Sequence, residues 1–201
     1  MINKIKIKQF YIIIILITGF LISCTNVKIN EVAVSGRQIL INDAPYTIKG
    51  ICYHPVPKGS DVRSFETLTQ DLALMVDAGI NTIRVYEPID DIAVLDELHS
   101  AGLKVIIGFG YDQGGIYDIK SGTFIEYVNK YKNHGAILFW ELGNEFNYHP
   151  EWFKDDIQNW YSALNDAAEL IHKNDKAHLV STAHGELPKD LVLASCPNID
   201  V

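Results

Sequence analysis

The chain has 201 residues, of which 48% are hydrophobic and 21% are charged. This is the composition of a folded globular domain and not of a disordered segment. The formal net charge is −8, and no cluster of Lys and Arg follows the first few residues. Nucleic-acid binding depends on such clusters to displace counterions, so the composition argues against that class of partner. The acidic balance fits a neutral substrate and simple solubility equally well.

Residues 1–23 have the pattern of a lipoprotein signal peptide. Lys4, Lys6 and Lys8 form a basic region, and an apolar stretch of 11 residues follows from Tyr11 to Leu21. Because a bilayer-spanning helix needs roughly 20 apolar residues, this stretch fits a signal peptide better. The next residues, Leu-Ile-Ser and Cys24, resemble a bacterial lipobox. The resemblance implies cleavage before Cys24 and a lipid anchor on its thiol; an uncleaved anchor helix is the alternative.

In either case the body of the protein is expected outside the cytoplasm, in the envelope of a bacterial cell and attached to its membrane. We predict a polar tether and a short β lead-in over residues 24–45, and the main domain over residues 46–201. Cys52 lies in an apolar segment, where a buried thiol without a disulfide is the commoner state. With only Cys52 and Cys196 left in the body, no disulfide is predicted. The sequence does not indicate an oligomeric state.

After the lead-in, strands and helices alternate along the chain. Such alternation is typical of a parallel sheet covered by helices. Residues with apolar helical spacing predict four helices that begin near Ser64, Ile92, Phe124 and Ile157. Strands are predicted at Tyr46–Cys52, Thr82–Tyr86, Lys104–Phe109, Ala136–Leu142 and His178–Thr182, and a sixth opens at Ile199.

The spacing of these units favours a closed (β/α)₈ barrel over an open sheet. Each unit takes about 30 residues, so eight would take about 240, close to the size of a typical TIM barrel. The chain covers about five units and the start of a sixth strand. We therefore expect an α/β fold, an incomplete (β/α)₈ TIM barrel, in a truncated chain. Its open strand edges predict poor solubility or partial disorder for the chain alone.

The clearest chemical signal is the segment 139–145, Phe-Trp-Glu-Leu-Gly-Asn-Glu. An apolar strand runs directly into an Asn-Glu pair, and the carboxyl ends of barrel strands point into the active site. Glu145 is therefore expected in the pocket. Aromatic neighbours, among them Trp140 and Phe146, would favour the protonated form that a general acid needs. A charge that merely lies near the start of a helix is the alternative for Glu145.

Residues 140–145 resemble the fourth-strand motif of retaining glycosidases built on (β/α)₈ barrels. Three other segments are similar to the first, second and third strands of the glycoside hydrolase family 2 barrel domain: residues 48–55, 81–86 and 101–106. The resemblance covers about residues 46–201. Thr-Ile-Arg-Val-Tyr at 82–86 is also similar to fungal-type β-1,3-glucanosyltransferases, which leaves the family within this clan open.

The resemblance implies roles for individual residues. Glu145 would be the general acid/base, and the substrate would be held by Asn144, Arg84, His54, Tyr86 and Trp140. Two alternatives stay open: Arg84 could serve only Glu141, which we predict to be its structural partner, and His54 could be a structural barrel histidine. Two or three of six aromatic residues near strand ends are expected to line the cleft: Tyr86, Phe109, Tyr111, Phe146, Tyr148 and Trp152.

The implied activity is hydrolysis of O-glycosidic bonds in a β-linked oligo- or polysaccharide by a retaining double displacement. In the resembling families the nucleophile is a Glu at the end of the seventh strand, and it is missing from this chain. Retention needs two carboxyl groups about 5–5.5 Å apart, so the 201 residues alone are expected to be inactive. The alternatives are a β-glucan transglycosylase of the same fold and a non-catalytic carbohydrate-binding protein. No cofactor is implied, and the histidine spacing predicts no metal site.

Overall fold

The computed structural model describes residues 30–112 and 114–201. The predicted signal peptide and Cys24 lie outside the described residues. The described chain contains two sheets, one of three antiparallel strands and one of five parallel strands in the order of the sequence. The predicted α/β class with a parallel sheet is therefore confirmed.

The smaller sheet is a three-stranded meander at the start of the described chain. Its strands are β1 (Val32–Ser35), β2 (Gln38–Ile41) and β3 (Ala44–Tyr46). Asn42 and Asp43 connect the last two with φ values of 52° and 64°. Positive φ at both central positions gives the turn a twist that matches the strands, and Asn and Asp tolerate this backbone better than most residues.

The larger sheet follows, with helices between its strands. The elements are β4 (Gly50–Cys52), α1 (Leu68–Asp77), β5 (Thr82–Val85), α2 (Ile92–Ser100), β6 (Lys104–Phe109), α3 (Phe124–Tyr131), β7 (Ile137–Asn144), α4 (Ile157–Asn174), β8 (Leu179–Ala183) and α5 (Asp190–Ser195). Two short 3₁₀ helices, Phe146–Tyr148 and Pro150–Phe153, lie between β7 and α4. The hydrogen-bonded order of the strands is β4-β5-β6-β7-β8.

The long helix α4 shows why the sequence forms these elements. Asp156 precedes it, and the Asp156 carboxylate accepts a hydrogen bond from the backbone N–H of Gln158 at 3.0 Å. This satisfies one of the N–H groups that the first helical turn leaves unpaired. Trp160, Leu164 and Ile171 recur on one face and are buried against the sheet. The helix therefore has a capped start and one apolar side, as its pattern predicted.

The structure corrects several predicted boundaries. The segment predicted as one strand, Tyr46–Cys52, is split, because Tyr46 pairs in the meander and only Gly50–Cys52 joins the parallel sheet. The first helix begins at Leu68 and not near Ser64. Residues 199–201 form no strand, although the Asp200 N–H donates to the Val180 carbonyl of β8 at 2.9 Å.

The two cysteines of the described chain are unpaired, as predicted, but their burial differs. Cys196 is buried, whereas Cys52 is exposed, so the prediction that Cys52 is buried was wrong. The Cys52 sulfur lies 3.7 Å from Nη1 of Arg84, on the same face of the sheet. Among residues 30–112 and 114–201, no helix has both the length and the apolar character that a membrane span requires.

The meander closes the amino ends of the parallel strands. The Val32 N–H donates to the carbonyl of Ala177 at 2.7 Å, and the Tyr46 hydroxyl donates to the carbonyl of Asn81 at 2.9 Å. Both acceptors lie just before a parallel strand. We call the apolar cluster beneath the sheet the amino-end plug; it comprises Val32, Ile39, Ile41, Tyr46, Ile106, Leu138, Phe139 and Leu179.

Candidate active site

At the carboxyl ends of the strands, Arg84 of β5 links two residues of β7. Its Nε donates to Glu141 Oε1 at 2.7 Å, and its Nη2 donates to Asn144 Oδ1 at 2.9 Å. The predicted pairing of Glu141 with Arg84 is confirmed. A planar guanidinium with several fixed donors suits this double contact, so Arg84 sets the position of the Asn144 side chain.

The Arg84–Glu141 pair is largely removed from solvent, with side-chain exposures of 18% and 8%. Burial alone lowers the pKa of Arg84, but the hydrogen bond and the charge of Glu141 outweigh it and raise that pKa above its usual value. Arg84 therefore stays charged. Its guanidinium carbon lies 4.7 Å from the ring centre of Tyr86, which adds a cation–π contact.

Gly143 allows Asn144 to reach Arg84. Strict alternation along a strand would put Glu141 and Asn144 on opposite faces. Instead, the register between β7 and β8 shifts between these two residues, and Gly143 has a φ of 75°. A Cβ atom on Gly143 would lie 2.7 Å from Cζ2 of Trp160. Both the backbone angle and the space therefore require glycine here.

Glu145 follows in the left-handed region, with a φ of 55°. Such a conformation costs a non-glycine residue about 1 kcal/mol or more, and residues held in it cluster at functional sites. Two hydrogen bonds hold it: the Glu145 N–H donates to the Ala183 carbonyl at 2.7 Å, and the Tyr148 N–H donates to the Glu145 carbonyl at 3.0 Å. The side chain itself is exposed, so the backbone is fixed while the carboxylate is accessible.

Glu145 lines a cavity of about 300 Å³, which we call the Glu145 cleft. Arg84, Asn144 and Tyr86 line it too, together with Glu87 and Trp152. The Trp152 ring is stacked on the ring of His149, with centroids 4.0 Å apart. The cleft thus combines an accessible carboxylate, a fixed amide and exposed aromatic faces, a set of groups that suits proton transfer to a polar ligand with apolar faces.

Four of the six predicted site residues meet at this cleft: Glu145, Asn144, Arg84 and Tyr86. His54 does not line the cleft, but it lies beside Tyr86, which does. Its ring centre is 6.2 Å from that of Tyr86, and it lines a separate neighbouring cavity beside β4.

The prediction that Trp140 contacts substrate was wrong. Trp140 is 0% exposed and lies behind β7, where its Nε1 donates to Asp175 Oδ2 at 2.7 Å. Glu141 points to the face of the sheet that carries the Arg84 side chain. Its neighbour Trp140 must therefore point to the opposite face, which the helices cover. The position of the Glu141 charge was the signal from which this could have been derived.

The aromatic residues near the strand ends divide into two groups. Tyr86, Phe109, Phe146 and Trp152 line the Glu145 cleft, whereas two or three were expected. Of these four, only Tyr86 and Trp152 expose a large part of their surface, 40% and 49%. The other two are almost completely buried and form the floor of the cleft.

Sequence reasoning missed other residues of the cleft, among them Glu87, His149 and Gly108. Glu87 and His149 belong to the loops after β5 and β7, and their positions at strand ends were the available signal. Gly108 lies where a Cβ atom would approach the Val85 carbonyl to 2.7 Å, so β6 can approach β5 closely there. No group of three or more His, Cys, Asp or Glu side chains in the described chain could hold a metal ion.

Comparison with protein families gives one matching model, described as glycosyl hydrolases family 2, TIM barrel domain, which covers residues 32–188. This range contains every residue of the Glu145 cleft.

Among curated proteins, the β-glucuronidase of Sus scrofa is 25% identical over 190 residues, which is 87% of this chain and 27% of that protein. The β-galactosidase of Pseudoalteromonas haloplanktis is 21% identical over 170 residues, which is 78% of this chain and 16% of that protein. The chain thus spans less than a third of the length of either relative.

Among solved structures, the β-glucuronidase of Parabacteroides merdae superposes with a TM-score of 0.63 at 17% identity. The match covers 76% of this chain and 20% of that one. At this identity the likeness concerns the fold. Together with the family model, it identifies the five parallel strands as strands of a TIM barrel domain.

Proposed function

The chain belongs to glycosyl hydrolase family 2, and we propose that it carries the acid/base part of the active site of a retaining β-glycosidase. One observation supports this above the others. Asn144 and Glu145 end β7 at a cleft, where Arg84 fixes the amide at 2.9 Å and the Glu145 carboxylate remains exposed. The acid/base of a glycosidase needs this combination of a fixed backbone and access to the ligand.

In the first step of the proposed reaction, Glu145 is protonated and donates its proton to the glycosidic oxygen. The bond from the anomeric carbon to this oxygen breaks as a second carboxylate attacks the same carbon. The products are the released alcohol and a covalent glycosyl ester. In the second step the Glu145 carboxylate removes a proton from water, and the water oxygen displaces the ester carboxylate from the anomeric carbon.

The second carboxylate is assigned to a Glu outside residues 1–201, at the end of the seventh strand of the family barrel. It must lie about 5–5.5 Å from Glu145 for retention. Glu141 is not suited to this role, because Arg84 holds its Oε1 at 2.7 Å and its side chain is only 8% exposed. Its task is to hold Arg84.

Asn144 is proposed to bind the sugar hydroxyl beside the reacting carbon. Its Oδ1 accepts from Arg84, which turns the Nδ2 hydrogens toward a ligand. A hydrogen bond of this kind strengthens in the transition state and so lowers the barrier. The exposed rings of Tyr86 and Trp152 would pack against the apolar faces of the substrate.

The names of the relatives, β-glucuronidase and β-galactosidase, support a β-linked glycan as the substrate class. Hydrolysis of such a glycan is our proposal for the complete gene product.

Azide rescue tests the role of Glu145. In the complete gene product, Glu145→Ala is expected to form the glycosyl-enzyme from an aryl β-glycoside, because a good leaving group needs no proton. The intermediate then accumulates, since no base activates water. Added azide should restore turnover and give the β-glycosyl azide, which nuclear magnetic resonance identifies.

Glu126→Ala is the matched control, because Glu126 is exposed on α3 away from the cleft. It should hydrolyse the glycoside at the wild-type rate and show no response to azide. An α-glycosyl azide would contradict retention, and full activity of Glu145→Ala on a substrate with a poor leaving group would contradict the assignment of the acid/base.

A lipid anchor on Cys24 is proposed from residues 4–24 alone. The complete gene product, expressed in a bacterial host, should appear in the membrane fraction with an N-terminal diacylglyceryl cysteine by mass spectrometry. Cys24→Ala should abolish the modification. An unmodified Cys24 in the mature protein would exclude the anchor and leave the assignment of Glu145 untouched.

A further inference from the structure

A second cavity adjoins the Glu145 cleft and has no assigned role. We call it the Asp118 cavity; it has a volume of about 330 Å³. Tyr86, Glu87 and Gly110 line both spaces, so the two cavities are direct neighbours. Each lies at the lower end of the range of roughly 300–1,000 Å³ that is usual for ligand pockets.

Asp118, in the wall of this cavity, has a carboxylate oxygen without a hydrogen-bond partner among the described residues. The residue is only 6% exposed. Its Oδ1 accepts from the Ser121 N–H at 2.8 Å, but its Oδ2 is buried without a partner among the described residues. An unpaired buried acceptor is costly. Because this oxygen has almost no accessible surface, the carboxylate must turn toward the cavity to meet a ligand hydroxyl, and the new hydrogen bond would remove that cost.

The charges around the cavity favour a neutral ligand over an anionic one. Glu87 and Asp90 add two carboxylates to that of Asp118. Arg63 also lines the cavity, but its Nη1 and Nη2 donate to the carbonyls of Glu87 and Pro88 at 2.8 and 2.6 Å. Its Nη2 also lies 3.9 Å from Glu87 Oε2. The Glu87 carboxylate therefore balances the charge of Arg63, which does little to attract an anion.

The cavity also offers apolar surface. Ile116 is 69% exposed and Tyr86 is 40% exposed. The Tyr117 hydroxyl donates to Asp90 Oδ1 at 2.7 Å, which orients that carboxylate. Acceptors beside apolar faces suit a sugar ring, whose edges carry hydroxyl donors and whose faces are apolar.

We propose that the Asp118 cavity is a subsite for a neutral sugar unit of a substrate whose scissile bond lies at Glu145. Asp118 accepts a hydrogen bond from a hydroxyl of this unit, and Tyr86 lies between the two subsites. This inference rests on the proposed glycosidase function for the identity of the ligand, whereas the cavity and its unpaired acceptor do not depend on it.

Calorimetric binding to the complete gene product tests the subsite, with Glu145→Gln as background to prevent turnover. The probes are cellotetraose, xylotetraose, mannotetraose, β-1,4-galactotetraose and the methyl β-glycosides of their monosaccharides. A tetragalacturonide serves as the anionic probe. At least one neutral tetrasaccharide should bind about tenfold more tightly than its monosaccharide, with no such gain for the tetragalacturonide.

Asp118→Asn should then weaken binding of that tetrasaccharide about tenfold, the effect of losing one hydrogen bond to a charged acceptor. Binding of the monosaccharide should change less than twofold. Asp61→Asn is the matched control, since Asp61 is exposed and lies outside the cavity. If Asp118→Asn does not fold, Ile116→Ala provides a surface variant, with an expected loss of about threefold for the tetrasaccharide alone.

Three results would overturn the subsite: no neutral tetrasaccharide binds more tightly than its monosaccharide, the cavity variants weaken both probes equally, or the tetragalacturonide binds best. Failure of the glycosidase proposal looks different. In that case the wild-type protein releases no sugar, while tetrasaccharide binding still depends on Asp118.

Discussion

The two ends of the parallel sheet serve opposite purposes, and β7 takes part in both. At the amino end, Phe139 of β7 packs in the plug with Val32 of the meander, and both side chains are buried. At the carboxyl end, β7 carries Glu141 and Asn144 and β5 carries Arg84, beside an open cleft. The difference shows that stability and chemistry are separated along β7, as is general for the strands of TIM barrels.

The separation has an energetic side. Burial of apolar surface at the plug contributes about 25 cal/mol for each Å² removed from water. At the cleft, by contrast, Glu141 and Arg84 lose hydration when they pair, and Glu145 adopts a left-handed backbone. The carboxyl end is therefore less stable than an apolar core would be, and in return the side chains of Asn144 and Glu145 are held in place.

The largest expected effect is loss of activity without loss of stability, from Glu145→Gln. This change keeps the size of the side chain and removes its ability to transfer a proton. On a substrate with a poor leaving group, kcat should fall about 10²–10⁴-fold, the usual contribution of general acid–base catalysis. The melting temperature should match that of wild type. A large drop in melting temperature would show that Glu145 also holds the fold, which would break the comparison.

At the opposite end, Phe139→Ala should have the reverse signature. The change leaves a cavity in the plug and should lower the free energy of unfolding by about 3–5 kcal/mol. Urea unfolding followed by tryptophan fluorescence measures the loss, and the activity of the folded fraction should be that of wild type. Val34→Ala on the same meander is the control, because Val34 is 43% exposed and its loss should cost less than about 0.5 kcal/mol.

Arg84→Met tests whether the ion pair between Arg84 and Glu141 stabilises the fold. The single variant leaves Glu141 buried without its partner and should cost about 3 kcal/mol of stability as well as most of the activity. The double variant Arg84→Met, Glu141→Leu should recover most of that stability, because an apolar pair replaces the ion pair. Recovery of activity in the double variant would contradict the positioning role of Arg84.

The smallest expected effect is a pH dependence of the free energy of unfolding, which originates at Asp175 behind β7. Burial acts to raise the pKa of Asp175, but hydrogen bonds from His178 and Trp140 outweigh it and lower that pKa below its usual value. The stabilisation is therefore complete above the unfolded value of about 3.9 and is lost as the pH falls through the folded pKa. Urea midpoints of wild type and Asp175→Asn should converge below that pH. A constant difference would contradict this contribution.

Much of the fold could be predicted from local patterns. The strand predicted at Thr82–Tyr86 is found at Thr82–Val85, and the one at Lys104–Phe109 has the predicted bounds. Runs of β-branched and apolar residues between glycine turns indicate buried strands without knowledge of their partners. The prediction of one strand from Tyr46 to Cys52 was wrong because local patterns do not reveal pairing partners, and the two halves of this segment pair in different sheets.

The site could be predicted only as far as single strands allow. Asn144 and Glu145 follow from their place at a strand end, whereas Trp140 was misplaced because β7 is apolar on both faces and only Glu141 marks its orientation. Asp118 could not be found from the sequence. Its proposed role depends on an isolated bridge to Gly110 and on the loop after β5, contacts that no local pattern encodes.

The shift at Gly143 also determines how this site can be recognised in other chains or transferred to them. An Asn-Glu pair grafted onto the tip of a regular strand would direct one of its two side chains into the surrounding helices. A search profile or an engineering graft therefore has to carry the preceding glycine, and room for it beneath an aromatic ring, as part of the motif.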